Sequence, residues 1–472
     1  MSERLNAAIC VIGGGPAGAA AARRLAQLGH SVVVVEKRLF PRAHIGESLS
    51  PGILPLLDIL GIKERIEHQG FLRPQHVLLH WPPTRGYKSL GPVAGFLVDR
   101  GKFDLIMLNA AREAGAIVME GAQLISAEQH VSGGWDLTIL WEGRRLAVER
   151  CFIIDASGRR GVMGGKKRRY GARTIALWNY WLGCTNGGNE TRVEAGAEQW
   201  YWGAPLPDGS FNATVFVDNE RFQNALRQLG SVEKVYEHLL ACSELLAACL
   251  KGHSDSPTMV CDATTYTDDD AIAPGLIKIG EALFSVDPLS SQGVQTALGT
   301  ALHAAAVVNT VLRHPEDQAL ARQFYCERQR ESVAFHSSAA AHLYAQVAVQ
   351  QESVFWKRRA GNEQESSPNT VKPKPCALCG DIAIRLSAEA QLCSTACMEE
   401  DFIVRRQAVI HPDLLRPAVF LGNIRLGPLV EHLRIVRTVD EILGAWSRYM
   451  TLEEGMGVLH WLHARGVVEV VQ

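Results

Sequence analysis

The sequence predicts an α/β protein: a Rossmann-type dinucleotide-binding domain, an α+β segment inserted into it, and a small C-terminal module. Three observations predict this. A glycine-rich strand–turn–helix–strand unit occupies residues 7–38. Alternating strand and helix patterns over 165–270 separate two runs that fit one nucleotide domain, 1–164 and 271–356. Two close cysteine pairs and two helix-capping signals lie beyond residue 375.

In the first unit, residues 8–12 are an apolar run of strand length, followed by G-x-G-x-x-G at Gly13, Gly15 and Gly18 around Pro16 and Ala17. A helix of small residues is expected from 17 to about 28, stopped by Gly29. A β-branched strand at 31–35 then leads into Glu36 and Lys37. Gly13 permits the tight turn, Gly15 lets a pyrophosphate reach the backbone, and Gly18 lets helix and sheet pack closely. The helix N-terminus offers free N–H groups and partial positive charge to phosphates. Glu36, 18 positions after Gly18, can accept hydrogen bonds from ribose hydroxyls. Glu in place of Asp does not decide between FAD and NAD.

At 472 residues the chain is too long for one ordinary core. Its 47% apolar and 21% charged residues describe a globular protein. A net charge of -2 gives no basic excess to invite nucleic acid. No apolar run is long enough to span a bilayer. The first strand begins too early for a cleavable leader, so a cytoplasmic location is expected. Seven of the eleven cysteines are scattered and read as reduced thiols.

Residues 40–52 are irregular, with Pro41, Gly46, Pro51 and Gly52, and carry His44, Glu47 and Ser48. Strand-like 96–100 ends at Arg100, a helix follows at 103–113, and a third strand at 117–120. Meander strands fill 122–148. A buried strand at 151–156 runs into Asp155-Ala-Ser-Gly158. The inserted segment, read as a substrate domain, shows strands at 174–181, 192–201 and 211–217, with helices at 221–229 and 232–250. Residues 276–279 return to the nucleotide sheet, and long helices follow at 294–312 and 318–349. Residues 357–375 read as a linker.

Three stretches now stand in order: Gly13–Gly18 with Glu36, Asp155–Gly158, and 279–294. Together they resemble the FAD-dependent monooxygenases and halogenases of the glutathione-reductase-like flavoprotein class. The resemblance implies FAD, with Asp155 and Gly158 closing the nucleotide site. It implies that Gly280-Glu281 binds the ribityl chain, that Pro288, Gly293 and Val294 line the flavin ring, and that Arg100 reaches FAD from a strand end. A surface ion pair or a turn cap remains the plain alternative for Arg100 and Asp155. The helix opened by Gly293 would favour negative charge on reduced flavin.

Gly46-Glu-Ser-Leu-Ser-Pro51 and Trp200-Tyr-Trp-Gly-Ala-Pro205 resemble the flavin-dependent halogenases, which implies a substrate pocket at Trp200, Trp202 and Pro205. These tryptophans read equally well as strand core. Tryptophan halogenases also carry a lysine that 70–81 lacks, and a glutamate where Ser290 stands. With both missing, the expectation is hydroxylation of an aromatic ring through a flavin hydroperoxide. The 284–293 segment resembles flavoproteins that hydroxylate tryptophan in a partner protein during tryptophylquinone maturation. Halogenation, and prenyl reduction as in geranylgeranyl-type reductases, are the alternatives. His44, Glu47 and Asp287 are the candidate acid–base groups; Glu47 and Asp287 read also as turn caps. No second G-x-G-x-x-G offers an NAD(P)H site, so a separate flavin reductase is an expected partner beside a protein or peptide substrate.

Cys376, Cys379, Cys393 and Cys397 form two close pairs 13 residues apart, a spacing that suits a structural zinc over 376–401. Free thiols or disulfides are the alternative. In 402–472, Thr438–Glu441 and Thr451–Glu454 are capping boxes opening helices at 439–449 and 452–465, with a strand at 467–471. The pattern resembles a winged helix. Its second helix carries Glu453 and Glu454 where DNA binding wants cations, so protein docking is expected, with a domain that only buttresses the fold or makes a dimer as the alternative.

Overall fold

The computed structural model describes residues 3–471 except 92, 132, 185–187, 255 and 362–377. It divides into two compact units, 1–309 with 325–366 and 310–324 with 367–472. No helix of the described residues is long and apolar enough to cross a membrane.

The first unit is built on a parallel sheet. Strand β1 (Ile9–Ile12) passes through the glycine turn into helix α1 (Pro16–Gln27), which returns to strand β2 (Val32–Glu36). Helix α2 (Arg100–Glu113) leads to β3 (Ile117–Glu120), and β4 (Arg144–Asp155) comes back beside β1. The order is β3-β2-β1-β4, continued by the strand Leu276–Lys278. Val32–Val35 and Ile9–Ile12 are buried along their whole length, as strands covered on both faces must be. The expected meander is present: Gln123–Gln129 pairs antiparallel with Trp135–Trp141, which in turn pairs antiparallel with β4.

A seven-stranded sheet, labelled the substrate sheet after the role expected of residues 165–270, also lies in this unit. Its strands include β5 (Thr174–Trp181), β6 (Thr191–Ala195), β7 (Gln199–Pro205) and β8 (Phe211–Asp218). The strand expected at 192–201 is two strands, because Gly196 N–H bonds the Gln199 carbonyl at 2.9 Å and turns the chain. The sheet also recruits His76–Trp81 and Thr84–Ser89 from outside 165–270, with His76–Trp81 running parallel to β6. Helices α3 (Asn219–Leu229) and α4 (Val232–Leu240) cover one face. The helix expected over 232–250 stops at 240 because the Glu194 carboxylate captures Ser243 Oγ and the N–H groups of Glu244 and Leu245 at 2.6–3.0 Å. The opposite face carries an aromatic cluster of Trp81, Trp200, Phe216, Tyr344, Phe355 and Trp356.

Helices α5 (Gly293–Arg313) and α6 (Gln318–Ala348) follow as expected. The linker expected over 357–375 does not begin at 357, because Val354–Ala360 is helical with Trp356 and Arg359 buried; 362–375 lie outside the described residues. Arg359 Nη2 bonds Asp218 at 2.6 Å and Thr174 Oγ1 at 2.8 Å.

In the second unit, β9 (Gln391–Glu399) and β10 (Phe402–Ile410) form a hairpin in unbroken register. A boundary at 401/402 would cut through it. Helices α7 (Val439–Trp446) and α8 (Leu452–Ala464) both start at the expected capping boxes, with both reciprocal bonds made. Their buried faces, including Trp446, Leu459 and Leu462, share a core with Ile384 and Val468 from a three-stranded sheet.

The four-cysteine zinc site does not form among the described residues. Cys376 lies outside them, and Cys379 is exposed. Cys393 and Cys397 sit on one straight strand, β9, four residues and therefore about 13 Å apart. One tetrahedral ion cannot bridge that span. No group of three His, Cys, Asp or Glu side chains gathers among the described residues.

Candidate active site

The glycine turn is shaped by close backbone approach. Gly13 has φ +109°, and a Cβ there would lie 2.4 Å from the Ala156 carbonyl oxygen. A Cβ on Gly18 would lie 1.9 Å from the Gly13 oxygen. Gly15 caps α1 in extended conformation with no side chain bonded to the first-turn N–H groups. The Glu36 carboxylate accepts from Gly14 N–H and Arg38 N–H, both at 2.7 Å, fixing the end of β2 against the turn; Lys37 is exposed. Gly280, at φ +56°, packs on Ala17, so the third sequence stretch meets the first: a Cβ at Gly280 would be 3.0 Å from that of Ala17.

Asp155 takes the turn-cap geometry. One oxygen accepts from Ser157 N–H and Oγ at 3.0 and 2.5 Å, the other from Met163 N–H at 3.0 Å, while Gly158 turns with φ +71°. Glu281 is exposed, 3.6 Å from Arg159 Nε, and accepts from Ser285 Oγ. Pro288 opens a short turn, Gly293 starts α5, and Val294 is buried. Ser48 pairs with Leu97 in a two-residue strand.

Arg100 is buried and fully engaged with protein. Nε and Nη2 bond Asp104 at 3.0 and 3.2 Å, and Nη1 bonds the carbonyls of Ile45 and Gly46 at 2.7 and 3.2 Å. Arg42, which no sequence motif marks, reaches the same Asp104 at 3.5 Å. Its Nη2 lies 3.3 Å from where a Gly15 Cβ would be, and its buried Nε has no partner among the described residues. These residues fit FAD: an uncapped helix N-terminus, a glycine that leaves room for phosphate, a cation beside it with an unused N–H, and an acid ending β2.

Glu47 is 2% exposed and reaches the substrate sheet. Its Oε1 accepts from Tyr180 Oη at 2.7 Å and Asn212 Nδ2 at 3.2 Å, and its Oε2 from Gly46 N–H at 2.9 Å. Thr214 Oγ1 donates to Asn212 Oδ1 at 2.7 Å. Strand alternation places Tyr180, Asn212 and Thr214 on the face that also carries Trp178, Phe216, Trp200 and Trp202. Tyr180 and Asn212 were not legible beforehand; only the alternation of aromatic and polar residues in β5 pointed toward a two-sided strand.

Trp200 is 1% exposed and stacked on Phe216 at 3.7 Å, so it is wall rather than opening. Trp202 is half-buried and Pro205 buried. Asp287 caps its own turn through Leu289 N–H at 3.0 Å and faces Tyr344 Oη at 2.9 and 3.1 Å. Burial pushes its pKa up, against the lowering effect of those two bonds. His44 is exposed at the surface; loss of hydration, then Arg100, lowers its pKa, and Nδ1 lies 2.7 Å from the Ile45 carbonyl. Glu47 and His44 thus share one loop, and Asp287 stands on another.

The profile of a family described as an FAD binding domain matches residues 6–234. A tryptophan 2-halogenase of Chondromyces crocatus is 34% identical over 368 residues, covering 74% of this chain and 69% of that protein. The chain belongs to the flavin-dependent halogenase family. Among solved structures, the flavin-dependent halogenase CmlS superposes with a TM-score of 0.79 at 21% identity, over 100% of this chain and 96% of that one. The peptidyl tryptophan dihydroxylase QhpG gives 0.71 at 24% identity, over 98% and 100%. Both show the same fold along nearly the whole chain. Family membership favours halogenation over the hydroxylation expected from the missing lysine and glutamate. Two local facts about this halogenase-family chain still stand. In 70–81, Arg73 is committed to Glu67 at 2.7 Å and to the Phe96 ring, and the one lysine buried among the described residues, Lys278, pairs with Asp268 at 2.8 Å. Ser290 donates to the Asp287 carbonyl.

Proposed function

We propose that the protein is an FAD-dependent halogenase of an electron-rich aromatic ring, with the indole of tryptophan as first candidate. The observation that carries this is the 34% identity to a tryptophan 2-halogenase across two thirds of both chains. Bound and reduced, FAD supplies the activation of dioxygen. The α1 N-terminus and Arg42 hold its pyrophosphate, and Glu36 its ribose. The face carrying Trp178, Tyr180 and Trp202 receives the ring, which stacks on apolar side chains while the Tyr180 hydroxyl remains protonated, because burial and then Glu47 raise its pKa. His44, kept neutral by its lowered pKa, is the candidate acceptor of the ring proton. Reducing equivalents come from a separate flavin reductase.

One observation favours a second reading, hydroxylation of a tryptophan in a protein or peptide. The stretch 70–81 has no lysine, and Arg73 within it is already paired. The experiment is aerobic turnover with reduced FAD, chloride or bromide, and either free tryptophan or tryptophan-containing peptides, read by mass spectrometry. The chlorine or bromine isotope doublet in the product supports halogenation. Added oxygen without halogen, in the presence of halide, moves the assignment to hydroxylation. An unmodified indole in every arm, with FAD bound and reduced, removes tryptophan as the substrate under either reading.

A further inference from the structure

The loop 42–47 joins two parts of the molecule through an unbroken line of bonds. At one end, Arg42 stands over the N-terminus of α1 and reaches Asp104. Asp104 binds Arg100 through both oxygens, and Arg100 grips the carbonyls of Ile45 and Gly46. Gly46 N–H and Glu47 close the loop on itself, and Glu47 Oε1 is anchored in the substrate sheet by Tyr180 and Asn212. Thr214 donates to Asn212 Oδ1, which fixes the amide with its Nδ2 toward Glu47. Asp104, Asn212 and Thr214 are at most 1% exposed, Glu47 2% and Arg100 6%. The line holds two cations and two anions, so no net charge is buried while all four are present. Low local dielectric makes each member costly to leave unpaired.

We propose that Tyr180, Asn212 and Thr214 are positioning residues of the FAD site: standing on the substrate sheet, they act through Glu47 and Arg100 to hold Arg42 over the phosphate cradle. Glu47 is then an anchor for the loop, not a proton acceptor, because both its oxygens are occupied by protein donors. A residue of the ring-binding face thereby sets cofactor affinity without touching the cofactor. This rests on the FAD site alone and stands whether the ring is halogenated or hydroxylated.

The test uses apoprotein and FAD, with no turnover. FAD dissociation constants are read from flavin fluorescence for the wild type, Tyr180→Phe, Glu47→Gln and the double variant, with the apoprotein melting temperature beside each. Tyr180→Phe removes one charge-assisted donor and should weaken FAD about tenfold, ~1.4 kcal/mol. Glu47→Gln should weaken it at least as much, since its amide would face the Gly46 N–H donor to donor. The double variant should be no weaker than Glu47→Gln, because Tyr180 acts only through that carboxylate. FAD affinity within about twofold of wild type in Tyr180→Phe, or a full further loss in the double variant, overturns the proposal. If Tyr180→Phe does not fold, Thr214→Val makes the same test: it should lower the melting temperature by stranding Asn212 Oδ1, a several-fold loss of FAD affinity in the folded apoprotein supports the proposal, and wild-type affinity overturns it.

Discussion

Replacing Gly18 by alanine tests the shape of the nucleotide cradle with one methyl group. The new Cβ would stand 1.9 Å from the Gly13 carbonyl oxygen and 3.1 Å from the Ala156 side chain. Neither partner is a flexible tip, so α1 and the turn must part by about 1 Å before the contact becomes tolerable. Overpacking of this kind costs about 1–3 kcal/mol. The displacement opens between the helix N-terminus and the glycine turn, where the pyrophosphate is expected, so much of the cost should fall on FAD binding. A loss of 1.4–2.8 kcal/mol there corresponds to about ten- to hundredfold weaker binding. The assay is FAD titration of apoprotein followed by flavin fluorescence, with thermal melting alongside. Gly299→Ala is the control: it lies in α5 with no atom near its would-be Cβ, and it should stabilise the helix by roughly 0.5–1 kcal/mol while leaving FAD alone. Wild-type FAD affinity and melting in Gly18→Ala would show that the close approach at this turn does not govern the cradle.

Lys278→Met should cost about 3–5 kcal/mol by stranding Asp268 in a pair that is 2% and 0% exposed; a melting curve checks it. Thr438→Ala and Thr451→Ala should each cost about 1 kcal/mol, seen by circular dichroism on denaturant titration, as each removes one half of a formed capping box. The folded state favours neutral His44, so the unfolded chain binds a proton first as pH falls below about 6.5. Stability should therefore decline as pH drops from that value toward the lower folded pKa, and His44→Gln should flatten this slope in denaturant titrations run across the interval. Chelator should leave the melting of the full chain unchanged, and metal analysis should find no stoichiometric zinc, because Cys393 and Cys397 are held apart on β9.

What the sequence revealed is what neighbouring residues determine. The glycine turn, both flanking strands and the two capping boxes are local chemistry, and they stand within a residue or two of their expected places. The substrate sheet was legible in β5 and β8, but the strand read at 192–201 is two and the sheet's membership was hidden. His76–Trp81 joins β6 in parallel across more than a hundred residues, and a strand carries no local mark of so distant a partner. The cysteine spacing misled for a related reason. A C-x-x-x-C pair can gather around metal in a tight turn, but in β9 the same spacing stretches it out. Tyr180 and Asn212 were hidden because only the fold brings them to Glu47 from 133 and 165 positions away.

Three indoles, Trp81, Trp200 and Trp356, lie with ring centroids 5.4 and 6.5 Å apart inside the first unit, and Trp202 shares the sheet face of Trp200 while staying partly open. An enzyme of the proposed activity, attacking electron-rich rings, would thus carry its own vulnerable targets in its wall. Dense packing spares the enclosed three, since a reagent of any size must first reach them. Idle cycles without substrate should therefore scar Trp202 before its neighbours, and the working lifetime of the catalyst would be written in the fragment ions that separate Trp202 from Trp200.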